Sequence, residues 1–239
     1  MKDRLDKVLN DRGLVSSRSQ AKSLIEKGEV LVNGLIVKRA ADLVSLEDVI
    51  EVTAPAFVGR GAFKLVKALE EFKVDVKDLI MLDVGSSTGG FTEVLLLQGA
   101  RKIYAIDVGT DQLAPKLKAD SRVVSMEGTN IRELVSLPEK ASGAVVDLSF
   151  VSVTKTLQSI SLLLEDKGFA IILIKPQFEA GLDRLPKDGV VKDPKVRELI
   201  RNEVHAYASS HGWTVSGSIV SPIEGKNGNV EFLSLLVKN

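Results

Sequence analysis

Apolar residues along the first fifty positions fall into short helical and alternating runs separated by turn residues. Leu5, Val8 and Leu9 share one helical face that Gly13 closes, and Ser16 or Ser17 can cap a second helix that buries Ala21, Leu24 and Ile25 and stops at Gly28. Val30 and Val32, the pair Asn33-Gly34, then Ile36 and Val37 read as a hairpin whose turn requires positive φ. A last strand over 49–52 precedes Ala54-Pro55-Ala56. From Lys64 onward the rhythm becomes alternating strand and helix. Strands are predicted over 79–84, 102–107, 122–126, 143–148, 169–174, 214–221 and 230–237, and helices over 91–98, 111–118, 153–164 and 194–210. Short apolar strands joined by single helices form a parallel sheet covered on both faces, an α/β doubly wound, Rossmann-like fold of seven strands. The last two strands lack an intervening helix, so the final one runs antiparallel to its neighbour. This gives a small α+β domain over 1–53, a linker over 54–59 and a second domain over 60–239.

Composition narrows the chemistry. The 32 basic and 32 acidic residues cancel, so whole-chain charge points to no polyanionic partner and any nucleic-acid site must arise from local clustering. Cysteine is absent, which excludes disulfides, thiolate metal sites and cysteine nucleophiles and suits a reducing cytoplasm. Residues 1–10 are charged and lack the apolar core of a signal peptide. The longest apolar run, 169–174, falls short of the roughly 18 residues that cross a bilayer. A soluble, cytoplasmic protein with no membrane partner is expected. His205 and His211 lack a second ligand group nearby, so a surface or helix-end role is expected for both and no metal site is assigned.

Charge does cluster locally. Between Arg12 and Arg39 the six basic residues Arg12, Arg18, Lys22, Lys27, Lys38 and Arg39 face two acids, Glu26 and Glu29, leaving an excess of four. Such an excess along a helix and its following hairpin is the footprint of phosphate binding, although a solvated helix face carries the same charges. The order of residues says more. Arg4-Leu5-Asp6 with Leu9, Gly13, Ser17-Arg18, Ala21, Leu24-Ile25, Gly28, Val30, Val32-Asn33-Gly34 and Asp48-Val49-Ile50 resembles the S4 RNA-binding domain. The resemblance implies binding of structured RNA, ribosomal RNA above all, with Arg4, Arg18, Lys22, Lys27 and Arg60 as candidate RNA-binding residues.

The first strand of the second domain ends in Asp83-Val84-Gly85-Ser86-Ser87-Thr88-Gly89-Gly90-Phe91, a glycine-rich turn feeding a helix. In doubly wound folds a nucleotide-like ligand sits there, because glycines let it approach the backbone. Dinucleotide spacing G-x-G-x-x-G is missing, as is a lysine for a triphosphate. Asp83 would repel a phosphate but attract the amino and sulfonium groups of S-adenosylmethionine. Asp107, ending the second strand, can accept hydrogen bonds from ribose hydroxyls of either that cofactor or NAD, so Asp83 favours S-adenosylmethionine. The predicted cofactor residues are Asp83, Gly85, Ser86, Ser87, Gly89, Gly90, Phe91, Asp107 and Asn130. Asn130, in Glu127-Gly128-Thr129-Asn130, either approaches the adenine edge or caps a helix.

Four polar residues are candidates for the reaction. Asp147 closes the fourth strand and Lys175 the fifth, so both reach the carboxyl rim of the sheet; Glu231 begins the antiparallel last strand at the same rim. Lys64 precedes the sheet and cannot be placed from pattern. A hydroxyl nucleophile is poor near neutral pH, so a catalyst that methylates one must remove or steer its proton. A lysine does so only when neutral; the usual lysine pKa is about 10.4, and burial and a second lysine both oppose its charge.

Lys64, Asp147, Lys175 and Glu231 match the Lys-Asp-Lys-Glu tetrad of FtsJ-like 2'-O-methyltransferases. With the S4-like head, Lys175-Pro176-Gln177-Phe178-Glu179 and Gly189-Val190-Val191-Lys192-Asp193-Pro194, the whole chain resembles the TlyA family of rRNA methyltransferases, some of which are labelled haemolysins. The resemblance implies a class I methyltransferase fold and methylation of cytidine 2'-oxygens in ribosomal RNA or ribosomal subunits. It implies Lys175 as base, Lys64 and Asp147 orienting it, and Glu231 positioning the hydroxyl. Two positions depart from the family pattern: Phe57 stands where tryptophan is expected and Phe63 where histidine is common. The rival readings are a base N-methyltransferase, whose fourth strand would end with two prolines absent from Asp147-Leu148-Ser149-Phe150, a membrane-lysing protein, and a binding module in which the methyltransferase fold is inert. The stretch 179–193, long for a connection, reads as a lid or an RNA-contacting loop.

Overall fold

In the computed structural model, which describes residues 2–15, 17–52, 57–181, 184–186 and 188–239, the chain divides into two units, Met1–Arg60 and Gly61–Asn239. Ala54-Pro55-Ala56, read from sequence as the linker, lies outside the described residues, as does Ser16.

The first unit comprises β1 (Lys2–Arg4), α1 (Leu5–Asp11), α2 (Arg18–Lys27), β2 (Val30–Val32), β3 (Leu35–Ile36), β4 (Leu43–Ser45) and β5 (Ile50–Val52). Ser17 caps α2, its side chain accepting from the Gln20 N–H at 3.2 Å, and Gly28 ends the helix at φ +77°. Asn33 and Gly34 both take positive φ, 52° and 78°, as a two-residue hairpin turn demands. Leu5, Leu9, Ala21, Leu24, Ile25 and Val30 are almost fully buried. Sequence reasoning missed the antiparallel pair of β1 with β4, which joins Lys2 to Ser45 across most of the unit.

The second unit contains α3 (Ala62–Phe72), β6 (Ile80–Val84), α4 (Gly90–Leu97), β7 (Lys102–Ile106), α5 (Pro115–Lys118), β8 (Val123–Met126), β9 (Ala141–Val146), α6 (Leu157–Leu163), β10 (Leu164–Ile174), α7 (Pro176–Glu179), α8 (Pro194–Ser210), β11 (Trp213–Val220) and β12 (Phe232–Lys238). The seven strands pair in the order β11-β12-β10-β9-β6-β7-β8; β12 is antiparallel to both its neighbours and the strands from β10 to β8 pair in parallel. Every residue of β6 is buried, as a central strand covered on both faces requires. Leu82, Val84, Ile106, Val146, Ile172, Leu157 and Ile160 belong to one core cluster. Each such side chain contributes roughly 1.5–3 kcal/mol by leaving water.

Several elements differ from expectation, among them α7, which was not assigned, and β10, which begins at Leu164 and not at 169. The helix predicted over 111–118 begins only at Pro115, because Asp111 takes φ +55° and the residue before proline, Ala114, is driven out of helical ψ to 137°. The helix predicted over 153–164 splits into a 3-10 turn, Val153–Lys155, and α6. Helix α3 was not assigned at all: Gly61 provides no side-chain cap, yet Leu65, Ala68 and Leu69 form its buried face.

Candidate active site

The order of strands reverses at β6, so the exits of β6 and β9 lie side by side. Asp147 N–H donates to the Val84 carbonyl at 3.0 Å. Gly85, at φ +87°, has no room for a side chain: a Cβ there would stand 3.0 Å from the carbonyl carbon of Asp147. Gly89 likewise accommodates Leu113, whose Cδ1 would lie 2.7 Å from a Cβ.

A cleft of about 540 Å³ opens over this turn, lined among others by Gly85, Ser87, Asp107, Val108, Gln112, Asn130, Ile131, Asp147, Leu148 and Phe150. Asp107 accepts N–H groups from Ser87 (2.8 Å) and Gly109 (2.8 Å), fixing the carboxylate at the rim. Asn130 lines the cleft, and its side chain accepts from the Arg132 N–H at 3.1 Å, closing a turn where no helix follows. Glu127 is engaged elsewhere, holding Lys118 at 2.6 Å and the N–H groups of Gln112 and Leu113, so its carboxyl is drawn down to about 2, chiefly by Lys118.

Five of the nine predicted cofactor residues, Asp83, Ser86, Gly89, Gly90 and Phe91, lie behind the lining and are buried. Thr92 Oγ1 donates to Asp83 Oδ2 at 2.6 Å, while Asp83 Oδ1 and Ser86 Oγ are buried with no partner. Burial pushes the Asp83 carboxyl up to about 7. Two orphaned acceptors next to an open cleft suit a ligand bearing polar N–H groups.

The four candidate catalytic residues converge. Lys64 stands in the first turn of α3, Asp147 follows β9, Lys175 follows β10 and Glu231 immediately precedes β12. Lys64 Nζ donates to Glu231 Oε2 at 2.7 Å and lies 3.9 Å from Asp147 Oδ2. Lys175 Nζ forms a close ion pair with Asp147 Oδ1 at 2.6 Å and donates to Ser149 Oγ at 2.9 Å. Lys64, Lys175 and Glu231 are 6%, 8% and 2% exposed. Asp147 therefore bridges the two amines, so each lysine faces a carboxylate. Sequence reasoning missed Ser149 and also Gln177, whose amide donates to Glu231 Oε1 at 3.3 Å.

A second cleft, of about 960 Å³, borders the first. Lys175, Gln177, Phe178, Asn229 and Glu231 line it, and Ser149, Phe150 and Val151 belong to both walls. Phe150 is 88% exposed, takes φ +64° and lies 5.1 Å from the Phe178 ring, centroid to centroid. A bulky residue in the left-handed region marks backbone strain held at a site. Among the described residues of 179–193, Arg184 makes two 2.8 Å bonds to Glu203 and the Val191 N–H donates to Asn229 Oδ1 at 3.2 Å.

In the first unit Arg4 and Arg18 meet on Asp6: Arg4 donates to both oxygens at 3.0 and 3.1 Å, Arg18 to one at 2.8 Å. Arg4 and, less strongly, Arg18 hold the Asp6 carboxyl down at about 2. Lys22 stands 3.8 Å from Glu26; Lys27 and Arg60 are exposed. Arg12 is spent on structure, its guanidinium donating to the carbonyls of Ser45, Leu46 and Asp48. His211 stacks on Tyr207 at the end of α8, whereas His205 turns inward to Ser234 Oγ at 2.9 Å, not outward as expected.

Among the described residues no helix is long and apolar enough to cross a membrane. Residues 57–238 match the FtsJ-like methyltransferase family and residues 3–50 the S4 domain. The chain is 42% identical to the 16S/23S rRNA (cytidine-2'-O)-methyltransferase TlyA of Mycobacterium tuberculosis, covering 96% of this chain and 87% of that one. It is 41% identical to Hemolysin A of Brachyspira hyodysenteriae, over 97% of this chain and 98% of the relative. A solved structure described as a hemolysin from Streptococcus thermophilus superposes with a TM-score of 0.76 at 38% identity, covering all of this chain and 89% of that one. The chain belongs to the TlyA family, FtsJ-like methyltransferases that carry an N-terminal S4 domain.

Proposed function

We propose that this protein methylates the 2'-hydroxyl of cytidine in ribosomal RNA, using S-adenosylmethionine, with residues 1–53 binding the RNA and residues 60–239 carrying out the transfer. The observation that carries the reading is the interleaved cluster of Lys64, Asp147, Lys175 and Glu231 where the two clefts meet. The first cleft is the cofactor site. Asp107 would accept the ribose hydroxyls, Val108 and Ile131 would flank the adenine beside Asn130, and the orphaned oxygens of Asp83 and Ser86 would take polar hydrogens of the amino-acid end. When bound, S-adenosylmethionine supplies an electrophilic methyl group on a positive sulfur.

The second cleft receives the nucleoside. Phe150 and Phe178 offer aromatic faces for a splayed-out base. Lys175 takes the hydroxyl proton when its amine is neutral, and the ammonium so formed lies beside Asp147, 2.6 Å away. Asp147 orients both amines, and Lys64 holds Glu231 where its carboxylate can position the attacking hydroxyl. Arg4, Arg18, Lys22, Lys27 and Arg60 contact RNA phosphates. Ribosomal RNA incubated with the protein and labelled cofactor, digested and analysed by mass, is expected to yield 2'-O-methylcytidine. A methyl group on a base would overturn the proposal in favour of a base N-methyltransferase.

A further inference from the structure

Glu179, the last residue of α7, borders the second cleft but touches neither the cofactor cleft nor the amine cluster; it is half-buried, and each of its carboxylate oxygens accepts a hydrogen bond. Oε1 accepts the Val153 N–H at 2.8 Å and Oε2 accepts the Ser152 hydroxyl. Among the described residues it forms no ion pair, and burial raises its pKa. A half-buried carboxylate with no cation in ion-pair range, and only the field of Lys155 to favour its charge, costs free energy, so an apolar residue would hold this place more cheaply if packing were all that mattered. What the bonds connect supplies the reason. Ser152 and Val153 continue the β9 exit, which bears Asp147, Ser149 and Phe150; Glu179 ends the β10 exit, which bears Lys175 and Phe178. Lys175 meets Asp147 and Ser149 across the gap between these two segments.

We infer that Glu179 is a positioning residue, a latch that ties the β10 exit to the β9 exit and thereby sets Lys175 against Asp147 and Ser149. The inference rests on the reading of this cluster as the methyl-transfer centre. A displacement of about 1 Å in a reacting group can lower a rate by about 10²-fold, so loosening the latch acts on turnover before it acts on folding.

The test compares Glu179→Ala and Glu179→Gln with the unaltered chain. Turnover at saturating RNA, cofactor affinity, melting temperature and amide hydrogen exchange over 149–155 are measured. Glu179→Ala is expected to lower kcat by about 10²-fold and leave cofactor affinity within about twofold, while glutamine, which keeps an oxygen acceptor for Val153, restores kcat to within about tenfold. Exchange over 149–155 is expected to quicken in the alanine variant alone. Unchanged kcat or unchanged exchange in Glu179→Ala would overturn the latch, as would a parallel loss of cofactor affinity and melting temperature, which marks a general structural role. If the unaltered chain transfers no methyl group, the proposed function fails, and the exchange measurement still decides the latch.

Discussion

Gly225 passes over the carboxylate of Glu231 so closely that a Cβ at position 225 would lie 2.6 Å from Glu231 Cδ. Its φ of −71° is open to any residue, so the requirement is for empty space and not for unusual backbone. Gly225→Ala is therefore expected to move Glu231 away from Lys64 and to slow methyl transfer by about 10²-fold, with cofactor affinity preserved. Steady-state kinetics and calorimetry check this; an unaltered kcat would show that the loop yields instead.

Asp83 links stability to pH. Its carboxyl is pushed up to about 7 from 3.8, first by burial and further by Asp147, against the Thr92 hydrogen bond. Between these values the folded chain keeps a proton that the unfolded chain has lost. The contribution is thus fully present below the unfolded pKa and disappears as pH rises through about 7, on the order of 4 kcal/mol in all. Asp83→Asn should flatten the dependence of melting temperature on pH across that window. An undiminished slope would place the titrating group elsewhere.

Phe150 is exposed, so shortening it should not weaken the fold. Phe150→Ala is expected to lower kcat/KM for RNA by about tenfold, in line with roughly 1–3 kcal/mol per stacked base, at an unchanged melting temperature. Equal kcat/KM would remove the aromatic seat from the account.

Salt dependence separates the arginines from the lysines of the first unit. Arg4 and Arg18 are already paired with Asp6, whereas Lys22 is 3.8 Å from its acid and 64% exposed at the side chain. Lys22→Ala should make the slope of binding against salt shallower by about one, and Arg18→Ala by less. Filter binding of ribosomal RNA across salt concentrations tests the ranking; equal slopes would contradict it.

Periodicity alone gave the order of strand and helix in the second unit and the antiparallel final strand, because each strand is a short apolar run with its own turn signals. It could not give the β1 and β4 pair, whose partners are forty residues apart and carry no local mark of each other, nor α3, which starts on a glycine without a capping side chain. That gap left Lys64 unplaced. Strand order alone brought Asp147, Lys175 and Glu231 to one rim; Lys64 joined them only through resemblance, since nothing in the spacing brings position 64 to position 231. At the glycine turn, packing also asks for glycine: Asp147 presses on Gly85, which lines the cleft, and Leu113 on Gly89, which lies behind it, and both take positive φ. Val108 and Leu148, each next to a residue singled out from sequence, also line the cleft.

Lys175, held by Asp147, is assigned the proton of a ribose hydroxyl. The decisive experiment is single-turnover methylation of ribosomal RNA by Lys175→Ala, with cofactor affinity measured alongside. Cofactor binding like that of the unaltered chain and no 2'-O-methylcytidine are expected; a variant that still forms this nucleoside at the original rate would remove Lys175 as the base.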